Sequence, residues 1–419
     1  MLIQALYTGL SGIRSSGTAI DVVSDNIANA STTGFREYNV EFSSLFEDSV
    51  RTSGNQITPN NTVGLGSKVV ATTMSTQDGS LKLTDRSTDM AIYGDGWFGV
   101  QGVGEAVYTR AGDFTFDVNS DLVTPDGYHV MGTMGGNIDG NVLTSAIDSI
   151  ALGDVGKQEQ LNFPRDLIYP PEPTTNAQFM GNIGDGSKDI IMAAAVIDTQ
   201  NNKNNLELTY TLSEVQVPPG RQWDISASVK SLDEQTIYDT QTGTASFDEN
   251  GALLETTLIS IDNNGTEVAI DLGVGYEGIV SLSNANLTAS SVSNGTIGGN
   301  LMGYEISTNA EVIATFTNGM QSSVGKIAIY HFQNDQGLER VDSSKFSVSS
   351  NSGAPIFYQD ANGNNVIGTD IRNFQLENSN VAMETALTNL ILFQRAYDAN
   401  SKTMTTADEM MKKALEMGA

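Results

Sequence analysis

Three glycines near residue 95 have the spacing of a phosphate-binding loop. The stretch GDGWFG places Gly94, Gly96 and Gly99 in the G-x-G-x-x-G pattern of dinucleotide-binding proteins. That chemistry requires a helix directly after the glycines, because the helix N-terminus holds the phosphate. Here the strand-like WFGV follows. The pattern therefore favours a glycine-flanked β-turn at Gly94, Gly96 and Trp97, and no cofactor is expected.

Two acidic stretches begin like calcium loops. They are DVNSD, from Asp117, and DANGN, from Asp360. An EF-hand loop also needs glycine at its sixth position and glutamate at its twelfth. The first stretch has Leu122 and Tyr128 there, and the second fails at the same two positions. Both are predicted to be Asx-rich hairpin turns rather than metal sites.

The chain is poor in the side chains that catalysis most often uses. It contains two histidines, His129 and His331, and no cysteine, which leaves catalytic triads, zinc–thiolate sites and disulfides unsupported. Carboxylate pairs are plentiful, but no spacing singles one out as the acid–base couple of a glycan-cutting enzyme. We predict that the protein is not an enzyme and has no catalytic, metal or cofactor-binding residues.

Length and charge narrow the remaining classes of function. A chain of 419 residues is expected to form two or three domains. Its net charge of −29 argues against binding to nucleic acid or to anionic membranes. No stretch approaches the roughly 18 apolar residues that a membrane span needs. Polar Gln4, Thr8 and Ser11 interrupt the N-terminal stretch, so no standard signal peptide is predicted.

The two ends of the chain have the pattern of long amphipathic helices. All nine prolines lie between Pro59 and Pro355, so neither end contains one. Apolar residues recur at 3-4 spacing in both predicted helices. In the N-terminal helix, predicted over residues 2–28, they are Ile3, Leu6, Leu10, Ile13, Ile20 and Ile27. In the C-terminal helix they are Met383, Ala386, Leu390, Phe393, Tyr397, Met404, Ala407, Met411 and Ala414.

Each helix can bury its apolar stripe by pairing with the other. Periodicity alone leaves open the alternative that each helix lies on a separate globular core. The regularity of both stripes favours a coiled-coil-like bundle of the two termini.

Between the helices, alternation and turn signals predict a mainly β middle. Strands are expected at 69–71, 90–93, 97–100, 106–108 and 114–116. Hairpin turns are expected at the Asn-Gly pairs that begin at Asn250, Asn264, Asn294, Asn318 and Asn362. The prediction is two nested all-β domains. Its boundaries are 1–30 with 376–419 for the inner helical domain, 31–70 for a connector, 71–150 with 305–375 for a discontinuous β-domain, and 151–304 for an inserted outer β-domain.

Four stretches in one order resemble the bacterial flagellar rod and hook proteins. They are DNIANASTTGF at 25–35, VGLGSKV at 63–69 with AIYGDGWFGV at 91–100, YTRAGDFTFDVNSDLVTPDGYHVMG at 108–132, and the C-terminal helix at 376–415. Rod proteins have little between the conserved ends, so the insert of roughly 150 residues favours the hook branch of the family. The resemblance implies that Asn26, Asn29, Thr33, Gly34 and Phe35 form a connector turn, with Gly34 permitting the turn and Phe35 anchoring it.

The resemblance also implies a function. It predicts a subunit of a hollow, curved helical polymer that passes motor torque to a filament, located outside the cell and exported by the flagellar type III pathway. Its expected partners are copies of itself, the distal rod, the hook cap, the hook–filament junction proteins and the export apparatus. The alternatives are a distal rod subunit and, from a different class, a secreted β-domain adhesin.

Overall fold

One long helix stands at each end of a chain that is otherwise built from strands. The computed structural model describes residues 2–45, 65–216, 218–283, 288–342 and 344–417, with side chains from residue 4 onward. The helices are α1, Leu2–Ala28, and α2, Met383–Met417. This arrangement confirms the predicted fold class, mainly β with paired terminal helices. The predicted connector, 31–70, and the side chain of Ile3 lie partly or wholly outside the described residues.

The strands fall into three consecutive groups. The first group is β1 Tyr38–Ser44, β2 Ser67–Met74, β3 Leu81–Leu83, β4 Met90–Tyr93, β5 Trp97–Gln101, β6 Ala106–Thr109, β7 Thr115–Phe116, β8 Leu122–Val123, β9 His129–Met134, β10 Ile138–Asp139, β11 Val142–Leu143, β12 Glu159–Gln160 and β13 Ile168–Tyr169. The second is β14 Asn176–Asn182, β15 Ile190–Ile197, β16 Lys203–Leu212, β17 Arg221–Ser231, β18 Ile237–Phe247, β19 Ala252–Thr256, β20 Ser260–Asp262, β21 Glu267–Asp271, β22 Gly275–Val280 and β23 Ser290–Ser293. The third is β24 Gly299–Ile306, β25 Glu311–Phe316, β26 Gln321–Ile327, β27 Ile329–Tyr330, β28 Glu339–Asp342, β29 Lys345–Ser347, β30 Tyr358–Gln359, β31 Asn365–Val366, β32 Asp370–Asn373 and β33 Gln375–Glu377. Short 3-10 helices occupy Val155–Lys157 and Asp335–Gly337.

Strand pairing places most strands in two large sheets, while β1–β2, β3–β33, β4–β32 and β30–β31 form separate two-stranded sheets. A 15-stranded sheet joins the first and third groups in the order β10-β11-β13-β24-β25-β26-β9-β5-β6-β29-β28, with β7, β8, β12 and β27 attached beside this path. The second group forms a 10-stranded sheet in the order β15-β16-β17-β18-β19-β22-β14-β21-β20, with β23 on β14. One β-domain is therefore inserted into another, as the alternating pattern predicted.

The two β-domains have separate hydrophobic cores. The core of the inserted domain runs from Ala177 to Ile279 along the sequence and includes fully buried Trp223. Leu161, Phe163, Leu167 and Tyr169 pack instead into the core of the first domain. The cores thus divide near residues 174 and 298, rather than at the predicted 151 and 304. Local alternation does not reveal these boundaries, because a strand has the same alternating pattern in either sheet.

Four of the five predicted Asn-Gly hairpins are present, between β18 and β19, β20 and β21, β25 and β26, and β30 and β31. The prediction is wrong at Asn294. There the side-chain Oδ1 accepts hydrogen bonds from the backbone N–H groups of Thr175 and Asn176, at 3.0 Å each. This asparagine therefore ties the end of β23 to the start of β14 instead of turning a hairpin.

Candidate functional site

The contact between α1 and α2 is made by small residues. Gly9, Gly12, Ser16, Ala19 and Val23 form the buried face of α1. A Cβ added at Gly9 would lie 3.3 Å from the carbonyl oxygen of Asn400, and one added at Gly12 would lie 2.5 Å from its side-chain amide. Because these positions have no side chain, the two helices approach closely.

The predicted apolar stripe of α1 lies beside this seam rather than in it. Leu6, Leu10, Ile13, Ile20 and Ile27 are all half-buried. The buried positions are displaced by about one residue around the helix from the predicted ones. Much of the large apolar surface of α1 therefore remains accessible in a single chain.

Helix α2 leaves even more apolar surface uncovered. Its buried residues are Ala386 and Ala407. Of the predicted interface residues, Leu390, Phe393 and Met411 are half-buried, while Met383, Tyr397 and Met404 are 42%, 40% and 36% exposed. Exposed apolar surface of this extent is typical of interaction surfaces.

The helices run antiparallel, since their contacts pair the start of one with the end of the other. Gly9 lies against Met404. Beyond the other end of α1, the Gly34 N–H donates to the carbonyl of Glu377 at 2.8 Å, just before α2 begins. The β1–β2 hairpin packs on the pair, with the Phe42 and Phe393 ring centroids 5.8 Å apart.

Two asparagines of the N-terminal motif hold the end of α1: Asn26 ties it to this hairpin and Asn29 bonds within the helix end. The Asn26 side chain accepts from the Tyr38 N–H at 3.0 Å and donates to the Tyr38 carbonyl at 2.8 Å, as a neighbouring strand would. The Asn29 amide donates to the carbonyl of Asp25 at 2.9 Å at the helix end, and Thr33 is half-buried beside it. These amides satisfy backbone groups where the helix stops.

Gly34 and Phe35 fix the direction in which the chain leaves α1. Gly34 has φ +67°, and a Cβ there would lie 2.4 Å from the backbone nitrogen of Ala111. Both the backbone angle and the close approach require glycine. Phe35 is 2% exposed, and the Arg340 guanidinium lies 5.4 Å from its ring centroid.

A buried ion-pair network, which we call the junction, lies next to this turn. It consists of Arg36, Asp78, Arg110 and Glu377. Glu377 receives Arg110 Nε on one oxygen and Arg36 Nη2 on the other, at 3.0 Å each. Arg110 and Glu377 are 2% and 1% exposed. The four residues come from the segment after α1, the loop before β3, the end of β6 and the segment before α2.

The Gly94–Gly96 turn serves this junction. Gly94 and Gly96 have φ +103° and +133°, and their carbonyls accept from Arg110 Nη1 at 2.8 and 2.7 Å. Trp97 is buried, and its indole N–H donates to Asp335 Oδ1 at 3.2 Å. Strand β5 follows the turn, as predicted, so the glycine spacing accommodates an arginine rather than a pyrophosphate.

Burial shapes the ionisation of the groups around the junction. It lowers the pKa of the Arg110 guanidinium, and the adjacent Glu377 carboxylate opposes that shift. Burial likewise raises the pKa of Asp335. The pKa of His331 is lowered by burial, and its Nε2 lies 2.7 Å from the Ile367 carbonyl oxygen. Carboxylates and backbone carbonyls surround the Arg110 guanidinium and compensate the burial of its charge.

The two acidic stretches form turns of the predicted kind. Asp117 Oδ1 accepts from the N–H groups of Asn119 and Asp121, and Asp360 Oδ1 accepts from those two and four residues later in the same way. Within the described ranges, no three histidine or acidic side chains are grouped so that they could hold a metal ion. In the same part of the chain, neither helix has the length and apolarity needed to cross a membrane.

Sequence reasoning missed the four charged residues of the junction. Arg110 and Glu377 lie inside stretches that the family resemblance had already singled out, YTRAGDF and LENSN. A charged residue enclosed by an apolar and glycine-rich stretch was the available signal. Its partner could not be read locally, since the two residues are 267 positions apart.

Comparison with known proteins agrees with this architecture. Three family models match in chain order: a flagella basal body rod protein model at 6–36, a flagellar hook protein FlgE/F/G D1 domain model at 91–163, and a flagellar basal body rod FlgEFG protein C-terminal model at 374–417. These matches contain the α1 turn, the Gly94–Gly96 turn with Arg110, and Glu377 with α2.

Relatives align along nearly the whole chain. The flagellar hook protein FlgE of Borreliella burgdorferi is 26% identical and that of Escherichia coli 27% identical, each alignment covering 99% of this chain and 100% of the relative. The crystal structure of the Helicobacter pylori flagellar hook protein FlgE2 matches with a TM-score of 0.53 at 15% identity, covering 71% of this chain and all of that one. Ordered family matches and end-to-end relatives of one kind show that the chain belongs to the flagellar hook protein family.

Proposed function

We propose that this chain is the structural subunit of a hollow, curved flagellar hook, a universal joint that passes motor torque from the rod to the filament. The observation that carries the proposal is the pair of terminal helices whose large apolar residues remain half-buried or exposed. The family is one of structural proteins, so the proposed role is mechanical rather than catalytic. The distal rod and adhesin alternatives are not favoured by the relatives, which are hook proteins over their full length.

Energetics support assembly through the helices. Full burial of a leucine, isoleucine or methionine side chain contributes about 1.5–3 kcal/mol. Leu387, Ile391, Leu392 and Met410 are each between 46% and 60% exposed, so covering them contributes roughly 1 kcal/mol apiece. A neighbouring copy that covers them stabilises both the helix pair and the polymer.

The junction suits the passage of torque. It binds the segments at the base of both helices to the first β-domain through buried, charge-assisted hydrogen bonds, which are short and directional. A rotation of the helix pair is therefore expected to rotate the first β-domain with it. The inserted β-domain presents exposed serine, threonine and asparagine side chains. Their water-mediated contacts with neighbouring subunits can exchange as the polymer bends.

The other partners follow from the same proposal. The polymer would join the distal rod at one end and the hook–filament junction proteins at the other, growing beneath the hook cap. The subunit would reach this extracellular site through the type III export apparatus, without a cleaved signal peptide. The poorly covered helices support this route, because an isolated helix with little tertiary packing unfolds readily.

Electron microscopy of concentrated, nucleated protein tests the proposal. Curved tubes with a central channel are expected from the wild-type chain, and straight tubes would favour the distal rod. Leu387→Ser together with Ile391→Ser should reduce tube formation, whereas Val103→Ser, on an exposed turn of the first β-domain, should not. A wild-type protein that stays monomeric under all nucleating conditions would refute the assignment.

A further inference from the structure

Helix α1 and the β1–β2 hairpin form an open apolar groove with two cations on its edge. The groove has a volume of about 510 Å³, and its lining includes Tyr7, Leu10, Leu45 and Leu65. Arg14 and Lys68 lie at its rim, and both are exposed. Neither cation forms an ion pair with any of the described residues. In a chain of net charge −29, two cations without an ion pair among the described residues are a distinctive feature beside an apolar groove.

Helix α2 carries a ridge with the opposite character. Leu387 and Ile391 are one helical turn apart and are 46% and 59% exposed. Glu384 and Asp398 flank them on the same side of the helix, and both are exposed without an ion pair among the described residues, although Arg395 lies between them. Ile391 is about 140° around the helix from buried Ala386. The ridge therefore points away from the seam with α1.

We propose that the groove of one copy receives the Leu387–Ile391 ridge of a second copy. This inference rests on the proposed function and names the contact through which the polymer grows. Two different, complementary surfaces on one chain make a head-to-tail contact, which produces an open helical assembly rather than a closed dimer. The apolar surfaces cover each other, and Arg14 and Lys68 meet Glu384 and Asp398.

The geometry of a single chain separates the two surfaces. Gly9 lies against Met404, so Tyr7 lies beside the C-terminal half of α2. Thirteen residues of helix, roughly 20 Å, separate Met404 from Ile391. A groove and a ridge this far apart on one molecule cannot contact each other. Each is therefore available to a second copy.

Cysteine crosslinking tests this contact directly, because the chain has no cysteine of its own. Tyr7→Cys combined with Ile391→Cys should give a ladder of multimers when assembled protein is treated with a short thiol crosslinker. Each single variant should give none above dimer. Tyr7→Cys paired with Val103→Cys is the matched control. Assembled tubes without a ladder would overturn the proposed contact while leaving the hook assignment intact, and absence of tubes from the wild type would overturn both.

A charge exchange provides a second, independent readout. Arg14→Glu with Lys68→Glu should raise the critical concentration for assembly about tenfold. Adding Glu384→Lys and Asp398→Lys should recover most of that loss, since the pairs are restored with opposite sign. Lys82→Glu with Lys188→Glu, two exposed positions outside both surfaces, controls for the same change in net charge. Failure of the fourfold variant to recover would contradict the pairing.

The remaining candidate occupant is the chain itself, because residues 46–64 connect Leu45 to Leu65. Thiol labelling of Tyr7→Cys distinguishes it. Fast labelling in dilute monomer and slow labelling in tubes are expected for a groove that a second copy covers. Equal protection in both states would show that the groove is filled within one chain and would refute the proposal.

Discussion

Replacing Arg110 with methionine is expected to destabilise the first β-domain strongly. The substitution keeps an unbranched apolar stem but removes the ion pairs with Glu377 and Asp78 and the hydrogen bonds to three backbone carbonyls. Glu377 would keep Arg36 and the Gly79 N–H as partners. Removing one member of a buried charge network typically lowers the free energy of unfolding by about 3–5 kcal/mol.

The two tryptophans make this change measurable. Trp97 lies in the first β-domain on β5, which pairs directly with β6, the strand that Arg110 follows, and Trp223 lies in the core of the inserted domain. In a Trp223→Phe background, fluorescence reports unfolding of the first domain alone. With a urea m-value of about 2–3 kcal/mol/M, the midpoint should fall by about 1–2 M.

Arg372→Met is the matched control. Arg372 forms a comparable pair with Asp370, but both side chains are about half exposed, at 50% and 51%. Such a surface pair contributes at most about 1 kcal/mol. If Arg110→Met and Arg372→Met shift the urea midpoint equally, the junction does not hold the domain together and the reasoning about torque fails with it.

Three further outcomes follow from individual positions. Gly34→Ala should lower the free energy of unfolding by at least about 2 kcal/mol more than Gly136→Ala in urea titrations, because the two share φ +67° but only Gly34 has backbone within 3 Å of the added Cβ. Gly12→Ala should lower the thermal midpoint of the helix pair measured by circular dichroism, whereas Gly17→Ala, with nothing within 4 Å, should raise helix stability by about 0.5–1 kcal/mol; the reverse order would place the seam elsewhere. Since burial lowers the pKa of His331 in the folded state from its usual 6.5, the wild type should lose stability as the pH falls below 6.5 towards that lower pKa, and His331→Phe should lose less over this interval when urea midpoints are compared at successive pH values.

Around the junction, side chains join segments that lie far apart in the sequence. Asn380 illustrates the principle: its side-chain oxygen accepts from the Glu37 N–H at 2.6 Å, and its amide donates to the Gln77 carbonyl at 2.8 Å. The start of α2 is thereby tied to the segment after α1 and to the loop before β3. Both helices are anchored to one point on the first β-domain.

Local pattern was sufficient for the elements themselves. The helices, the predicted strands and four of the five Asn-Gly hairpins were readable because helical periodicity, alternation and turn chemistry depend on neighbouring residues. Gly34, Gly94 and Gly96 all have positive φ values; the family resemblance implied the turn at Gly34, whereas the residue types indicated the β-turn at Gly94 and Gly96. Reading these features required no knowledge of what packs against them.

Contacts between segments that are distant in the sequence could not be predicted from local pattern. The seam of the helix pair falls on Gly9 and Gly12 rather than on the large apolar stripe, because close approach of two backbones favours the smallest side chains and leaves the larger ones at the edge. Arg110 finds Glu377 only after the sheet brings the two ends of the chain together. Periodicity establishes that a face exists, whereas the shape and charge of the opposing surface establish what that face touches.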